Sequence, residues 1–383
     1  MIMHYRKLML LFGWAIMCIA SRSVAVAGEE NAGKWDLTGA AKYLDGRERE
    51  WFQFGSAHRG DGESRTTCVS CHSLLPYALA RPALRELSGE KKSTEYESRI
   101  LAQVKSRVTN WDQLDTPEFQ LSYDFDEDKK KQSRGTEAVL YALILARNDR
   151  VNGLPQPEPI TKSALANLWA TQIKEGQNAG SWEWLNFGLE PWEASSGRFL
   201  GATLSAIAVG SAPGGNASQE DEIARKGFSR LRDYLQSNVG KQNLHNGAWY
   251  LWAVASVDGL STPEEKKQLI DRLLAKQQPD GGWSLHTLGD YKTKDVDPKI
   301  GQSDGYATGL ILHVLRLAGV PKTDSHMMNG RAWLRSHQQA SGGWTAWSLN
   351  KIRQPESSDP GKANVGKFMW DAATALAVLA LGD

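Results

Sequence analysis

Cysteine is scarce. Three in 383 residues cannot build a disulfide framework in a chain of this length. An excess of charge is missing too. The 45 Lys and Arg nearly cancel the 44 Asp and Glu, leaving +1, which offers no electrostatic footprint for nucleic acid. The apolar run Leu8–Ala20 has 13 residues, too short to span a bilayer comfortably. With 41% hydrophobic and 23% charged residues, the chain is not a disordered polymer. What it does have in quantity is tryptophan, 15 residues, and glycine, 36 residues.

The apolar run follows a short basic start, Met1–Lys7, and is followed by Ala25-Val26-Ala27. Basic start, short apolar stretch and small-x-small site predict a secretory signal peptide over residues 1–27 and a periplasmic or secreted product. Cleavage removes Arg6, Lys7 and Arg22 and no acid, so the charge moves from +1 to −2. It also removes Cys18, leaving Cys68 and Cys71. The remainder, 28–383, is expected to be one domain with no transmembrane segment.

Those two cysteines read Cys68-Val69-Ser70-Cys71-His72. C-x-x-C-H is the attachment pattern of c-type haem. Two thiols at this spacing add to the two vinyl groups on one edge of a porphyrin, and the adjacent His binds the iron. One covalent haem c is therefore expected, held by Cys68 and Cys71, with His72 as axial ligand. A zinc site completed by distant ligands, a redox-active pair and a local disulfide stay open at this point. The sixth iron ligand has three candidates: His58 upstream, a distant Met or His, or an open position. Methionine is rare after residue 27, at Met327, Met328 and Met369 only.

Glycine-tryptophan clusters recur. Gln277 to Trp283 and Gln338 to Trp344 both read Q-x-x-x-G-x-W. Asn243–Trp249 and Gln177–Trp182 read as degenerate copies. Segments rich in Ala, Leu and Gly start near 72, 136, 198, 248, 305 and 371, at offsets of 64, 62, 50, 57 and 66. They are apolar nearly all round and predict buried helices. Polar helices at three-to-four spacing are predicted between them, over 37–54, 93–108, 160–176, 219–237, 263–277 and 325–338. Pro82 is expected to kink or end the first buried helix, and the charged run Asp124–Lys131 to be a solvated loop.

Six helical hairpins with Q-x-x-x-G-x-W turns, together with Ser303-Asp-Gly-Tyr-Ala-Thr-Gly309, resemble squalene–hopene cyclases and related terpenoid cyclases. Protein prenyltransferase β subunits share that architecture. The resemblance implies an all-α fold, the α/α toroid, whose inner helices start at one end of the ring. It also implies that tryptophan and glycine serve the turns. The cyclase acid motif D-x-D-D is not matched. A haem motif opening the first inner helix would sit at the ring mouth. Its expected neighbours are Arg134, Glu137, Arg198, Asp304, Tyr306 and Asp371, with Arg59, Arg65 or Arg81 for the propionates.

The expected function is electron transfer or another redox role with a periplasmic partner protein. The alternatives are a haem-dependent oxidase or peroxidase acting on a small hydrophobic substrate, with His58 or Glu137 as acid or base, and a terpene-cyclase-like or isoprenoid-binding activity.

Overall fold

Short polar side chains set the helix starts. In the computed structural model, which describes residues 34–214, 221–293 and 295–382, Asp36 opens α1 (Leu37–Gln53) by accepting the Gly39 N–H at 2.8 Å. Thr94 and Glu97 form a reciprocal capping box at α3 (Glu95–Thr109), and Thr262 and Glu265 do so at α9 (Pro263–Leu274). Each such box satisfies two N–H groups that the helix cannot. The other helices on this outer layer are α5 (Pro159–Thr171), α7 (Glu222–Asn238) and α11 (Ser325–Ser336).

The inner layer is α2 (Leu74–Leu87), α4 (Glu127–Val151), α6 (Gly197–Ser211), α8 (Leu244–Ser256), α10 (Gly305–Leu317) and α13 (Phe368–Leu381). Each packs on the next, and α13 packs back on α2, so the ring closes. The outer helices lie against it: α1 on α13 and α2, α3 on α2 and α4, α5 on α4, α7 on α6, α9 on α8, and α11 on α10 and α13. This is an α/α toroid of six hairpins. The other described elements include α12 (Pro360–Gly366), several short 3-10 turns and two short antiparallel strands, β1 (His58–Arg59) and β2 (Thr66–Thr67). No described helix is long and apolar enough to cross a membrane. The expected signal peptide, 1–27, lies outside the described residues.

Aromatic side chains fill the middle of the ring. Trp249 and Trp252 stack at 5.4 Å between centroids, and Tyr306 and Trp192 meet edge-on at 5.7 Å. The space left among Cys71, Leu75, Trp192, Leu204, Tyr306 and Leu376 is about 20 Å³. Trp249, read from sequence as part of a degenerate turn, is therefore an inner-helix residue facing this axis.

The turns are built as the resemblance implies for two repeats and differently for a third. Trp283 and Trp344 donate to Leu273 O and Leu334 O, at 2.8 Å each. Gln277 Nε2 spans Gly281 O and His326 O, and Gln338 Nε2 spans Gly342 O and Asp36 O. In the third repeat Gln172, not Gln177, bridges Gly180 O and Gly227 O, while Trp182 donates to Leu168 O.

One other expectation is corrected, and of the two outcomes expected at Pro82 the early helix end does not occur. The run Glu127–Lys131 is not a loop but the first turns of α4, with Asp126 accepting the Lys129 N–H at 2.7 Å. Acids in the first turn suit the positive end of the helix dipole. Helix α2 runs through Pro82 to Leu87. Burial of Leu79, Ala80 and Leu84 offsets a cost of about 3 kcal/mol for an interior proline.

Gly342 shows how tightly the ring closes. Its φ is +89°, and a Cβ there would stand 2.1 Å from the Gly39 backbone. Gly342→Ala is expected to lower stability by more than about 1 kcal/mol, from the backbone conformation alone. Thermal unfolding should show this as a lower midpoint, while the exposed Gly240→Ala should leave the midpoint nearly unchanged.

Candidate functional site

The cysteine motif is a short turn that links β2 to α2. Its first residue is held on both its backbone groups: Cys68 N–H donates to Ala57 O at 2.8 Å, and Trp51 Nε1 donates to Cys68 O at 2.9 Å. Inside the motif, Ser70 Oγ accepts the N–H groups of Ser73 and Leu74. Ser70 thus covers the start of α2, a duty the C-x-x-C-H pattern does not specify.

Both thiols are free. Cys71 is buried and Cys68 half-buried. Burial pushes both thiols up, Cys71 furthest, with Glu193 acting in the same direction on it. At neutral pH both are thiols rather than thiolates. Among the described residues no group of three or more His, Cys, Asp and Glu side chains could hold a metal, so the donor set for a zinc site is not assembled there.

His72 sits in an aromatic box. Phe368 stacks on its face at 3.6 Å between centroids, Trp51 meets it edge-on at 5.4 Å, and Trp192 lies at 5.9 Å. Burial pushes its pKa down to about 3, and the positive charges of Arg47 and Arg353 act the same way. The imidazole is neutral, the form that binds metals. Its Nδ1 lies 3.2 Å from Ser73 Oγ, which leaves Nε2 as the nitrogen for a metal. A ring stacked on its face keeps its in-plane nitrogen available.

A second void, about 60 Å³, lies beside His72 and includes Glu190, Glu193, Arg353 and Met369 in its wall. Trp192 lines both this void and the axial one. Neither space alone holds a porphyrin, so the ring would take volume now filled by side chains at this mouth. The chemistry of the donor set fits a covalent haem: two protonated thiols at C-x-x-C spacing in the sequence and a neutral imidazole on the next residue.

The residues expected around the motif divide. Asp371 reaches it, through Ser73. Tyr306 lines the axial void with Cys71 and is bonded to His245 Nε2 at 2.8 Å. Arg59 acts on the Cys68 thiol, packs over Tyr123 at 5.3 Å, and donates to Ser122 O at 2.6 Å. The others serve the fold. Glu137 is tied to Arg107 at 2.8 Å and accepts the Ser122 N–H and hydroxyl. Burial opposes its charge, but Arg107 and Ser122 hold its pKa below the ordinary value. Asp304 caps α10 through Ala307 N. Arg134 bonds Trp111 O and pairs with Asp115; Arg198 pairs with Glu183, and Arg81 with Asp45 and Glu90.

His58 is not brought to His72. Its Nε2 bonds Phe52 O at 2.8 Å. It lines a separate groove of about 390 Å³ with Arg65, Arg99 and Gln103. Met369 is the methionine that shares a void with His72. Sequence spacing could not single it out, because it lies almost 300 residues downstream. Glu193 and Trp192 were also missed, since they belong to an irregular segment with no pattern.

No family model matches the chain. Solved structures with a similar course include one titled as a glycosidase variant, at 12% identity and TM-score 0.48, covering 90% of this chain and 98% of that one. Another, titled UGL with dGlcA-Glc-Rha-Glc, has 12% identity and TM-score 0.49, covering 90% and 96%. A glycosidase in complex with glucose has 13% identity and TM-score 0.39, covering 90% and 86%. The expected redox function is corrected here, together with its oxidase, peroxidase and cyclase alternatives. Of the three solved chains just described, two are titled glycosidases and one UGL; none carries a cytochrome, haem-enzyme or cyclase title. At such identity the likeness concerns architecture and brings no activity to this chain.

Glu193 carries a pH signature. Burial pushes its carboxyl up to about 7, against a weaker opposing effect of Lys129. The folded state then binds a proton that the unfolded state has released above about 4.5. Stability from this group is fully present below that pH and is lost as pH rises through about 7. The thermal midpoint of the wild type should fall across this window, and Glu193→Gln should flatten the fall. Parallel curves for the two proteins would contradict the assignment.

Proposed function

We propose that this chain binds one haem covalently, through thioethers at Cys68 and Cys71, with His72 as a ligand to the iron. The observation that carries the reading is the setting of the motif. Two unpaired thiols and a neutral imidazole stand in the one short turn that leads into an inner helix. Covalent attachment needs reduced cysteines and an exported apoprotein, which agrees with the signal peptide expected over 1–27.

The chain's own residues have definable tasks. Ser70 and Trp51 hold the motif backbone, so the two thiols keep their spacing. Trp51, Phe368 and Trp192 pack around His72 and bury it. Arg59 lies close enough to Cys68 to work against the burial that raises its thiol pKa. Bound haem would supply an iron centre; the reading concerns its binding.

The test is a mass. The protein is made in a host that matures c-type cytochromes, then denatured and weighed. The wild type should carry the mass of one haem on the peptide containing Cys68 and Cys71. Cys71→Ala should carry no stably attached haem. A wild-type mass equal to the bare chain after export contradicts the reading.

A further inference from the structure

We propose that Ser73 and Asp371 are positioning residues that fix the tautomer of His72 and tune whatever metal its other nitrogen binds. As a statement about haem, this rests on the attachment reading above. As a statement about the imidazole, it rests on hydrogen bonds alone.

Asp371, at the start of α13, is an acceptor on both oxygens. Oδ1 takes Arg47 Nε at 2.7 Å and Tyr43 OH at 3.2 Å. Oδ2 takes Arg47 Nη2 at 3.0 Å and Ser73 Oγ at 2.6 Å. A serine hydroxyl has one hydrogen. With that hydrogen given to Asp371, Ser73 Oγ can only accept from His72 Nδ1, 3.2 Å away. Nδ1 therefore carries the imidazole hydrogen, and Nε2 carries the lone pair. The chain runs from imidazole to hydroxyl to carboxylate to guanidinium, and its members are buried.

Ser73 has no competing local duty. It stands at the N-cap position of α2 but makes no capping bond there, because Ser70 already receives the nearby N–H groups. Its hydroxyl is committed to a residue 298 positions away. A hydrogen bond passed from a ligand imidazole to a carboxylate raises the basicity of the metal-binding nitrogen and fixes the ring orientation. On iron, a more basic ligand favours the oxidised metal and lowers the reduction potential. The relay also ties that ligand to the pair joining α1 and α13, so the seam of the ring and the metal ligand share one carboxylate.

Two measurements test this. Nitrogen-15 NMR of the haem-free protein should show His72 as the Nδ1–H tautomer, and Ser73→Ala should weaken or lose that preference. An Nε2–H tautomer in the wild type overturns the relay, whether or not haem ever binds. In haem-loaded protein, Ser73→Ala should keep the covalent haem mass while its midpoint potential shifts upward, and Ser73→Thr should return the potential toward wild type. A fully loaded Ser73→Ala with an unchanged potential overturns the relay and leaves the attachment reading standing. A wild type that carries no haem mass overturns the attachment reading, and the tautomer measurement then decides the relay by itself.

Discussion

The buried pair between Arg47 and Asp371 joins the first hairpin to the last. Arg47 lies on α1 and Asp371 at the start of α13, with Arg47 Nε to Asp371 Oδ1 at 2.7 Å. Arg47 Nη2 also bonds the carbonyl and side-chain oxygens of Asn364. A ring of hairpins has a seam where the two ends of the chain must meet, and continuity cannot supply its contacts. Here it is made polar and geometrically demanding. A buried ion pair contributes little net stability against an apolar replacement, but it costs several kcal/mol when one partner is lost. Its value lies in register: the bidentate fork fits one alignment of α13 against α1. The turn at Gly342 and the bonds between Gln338 and Asp36 make the same closure at the outer rim.

The cysteine motif stands at this seam. It opens α2, the inner helix that packs on α13. Asp371 therefore holds two things at once, the guanidinium that closes the ring and the hydroxyl that faces His72. A site built across the seam exists only when all six hairpins are in place.

Much of the architecture was legible in the residues, because hydrophobic periodicity and capping act over a few positions. The helix starts predicted at 37, 263 and 325 are those of α1, α9 and α11, where the structure adds the caps Asp36, Thr262 and Asp324. The failures have physical causes. Gln172 was overlooked because its turn is longer, placing it ten residues before Trp182 rather than six. The α4 start was read as a loop because charge density resembles solvation, although Asp126 and its following acids are a helix-start signal. The thiols and His72 were legible as a motif, because their chemistry is local. The partners of His72 were not. Asp371 stood only among six residues at inner-helix starts, and nothing in its neighbourhood announces a bond to Ser73. His58, attractive by proximity in sequence, stands in β1 opposite Thr67 and its Nε2 bonds Phe52 O.

The central claim is that the seam of the toroid holds a covalent haem through Cys68, Cys71 and His72. An experimental structure of the matured, exported protein tests it most directly. The account predicts thioether bonds at both cysteines, iron on His72 Nε2, and Nδ1 within hydrogen-bond distance of Ser73 Oγ. A matured protein with Cys68 and Cys71 joined to each other, or with a haem iron held by other residues, would contradict it.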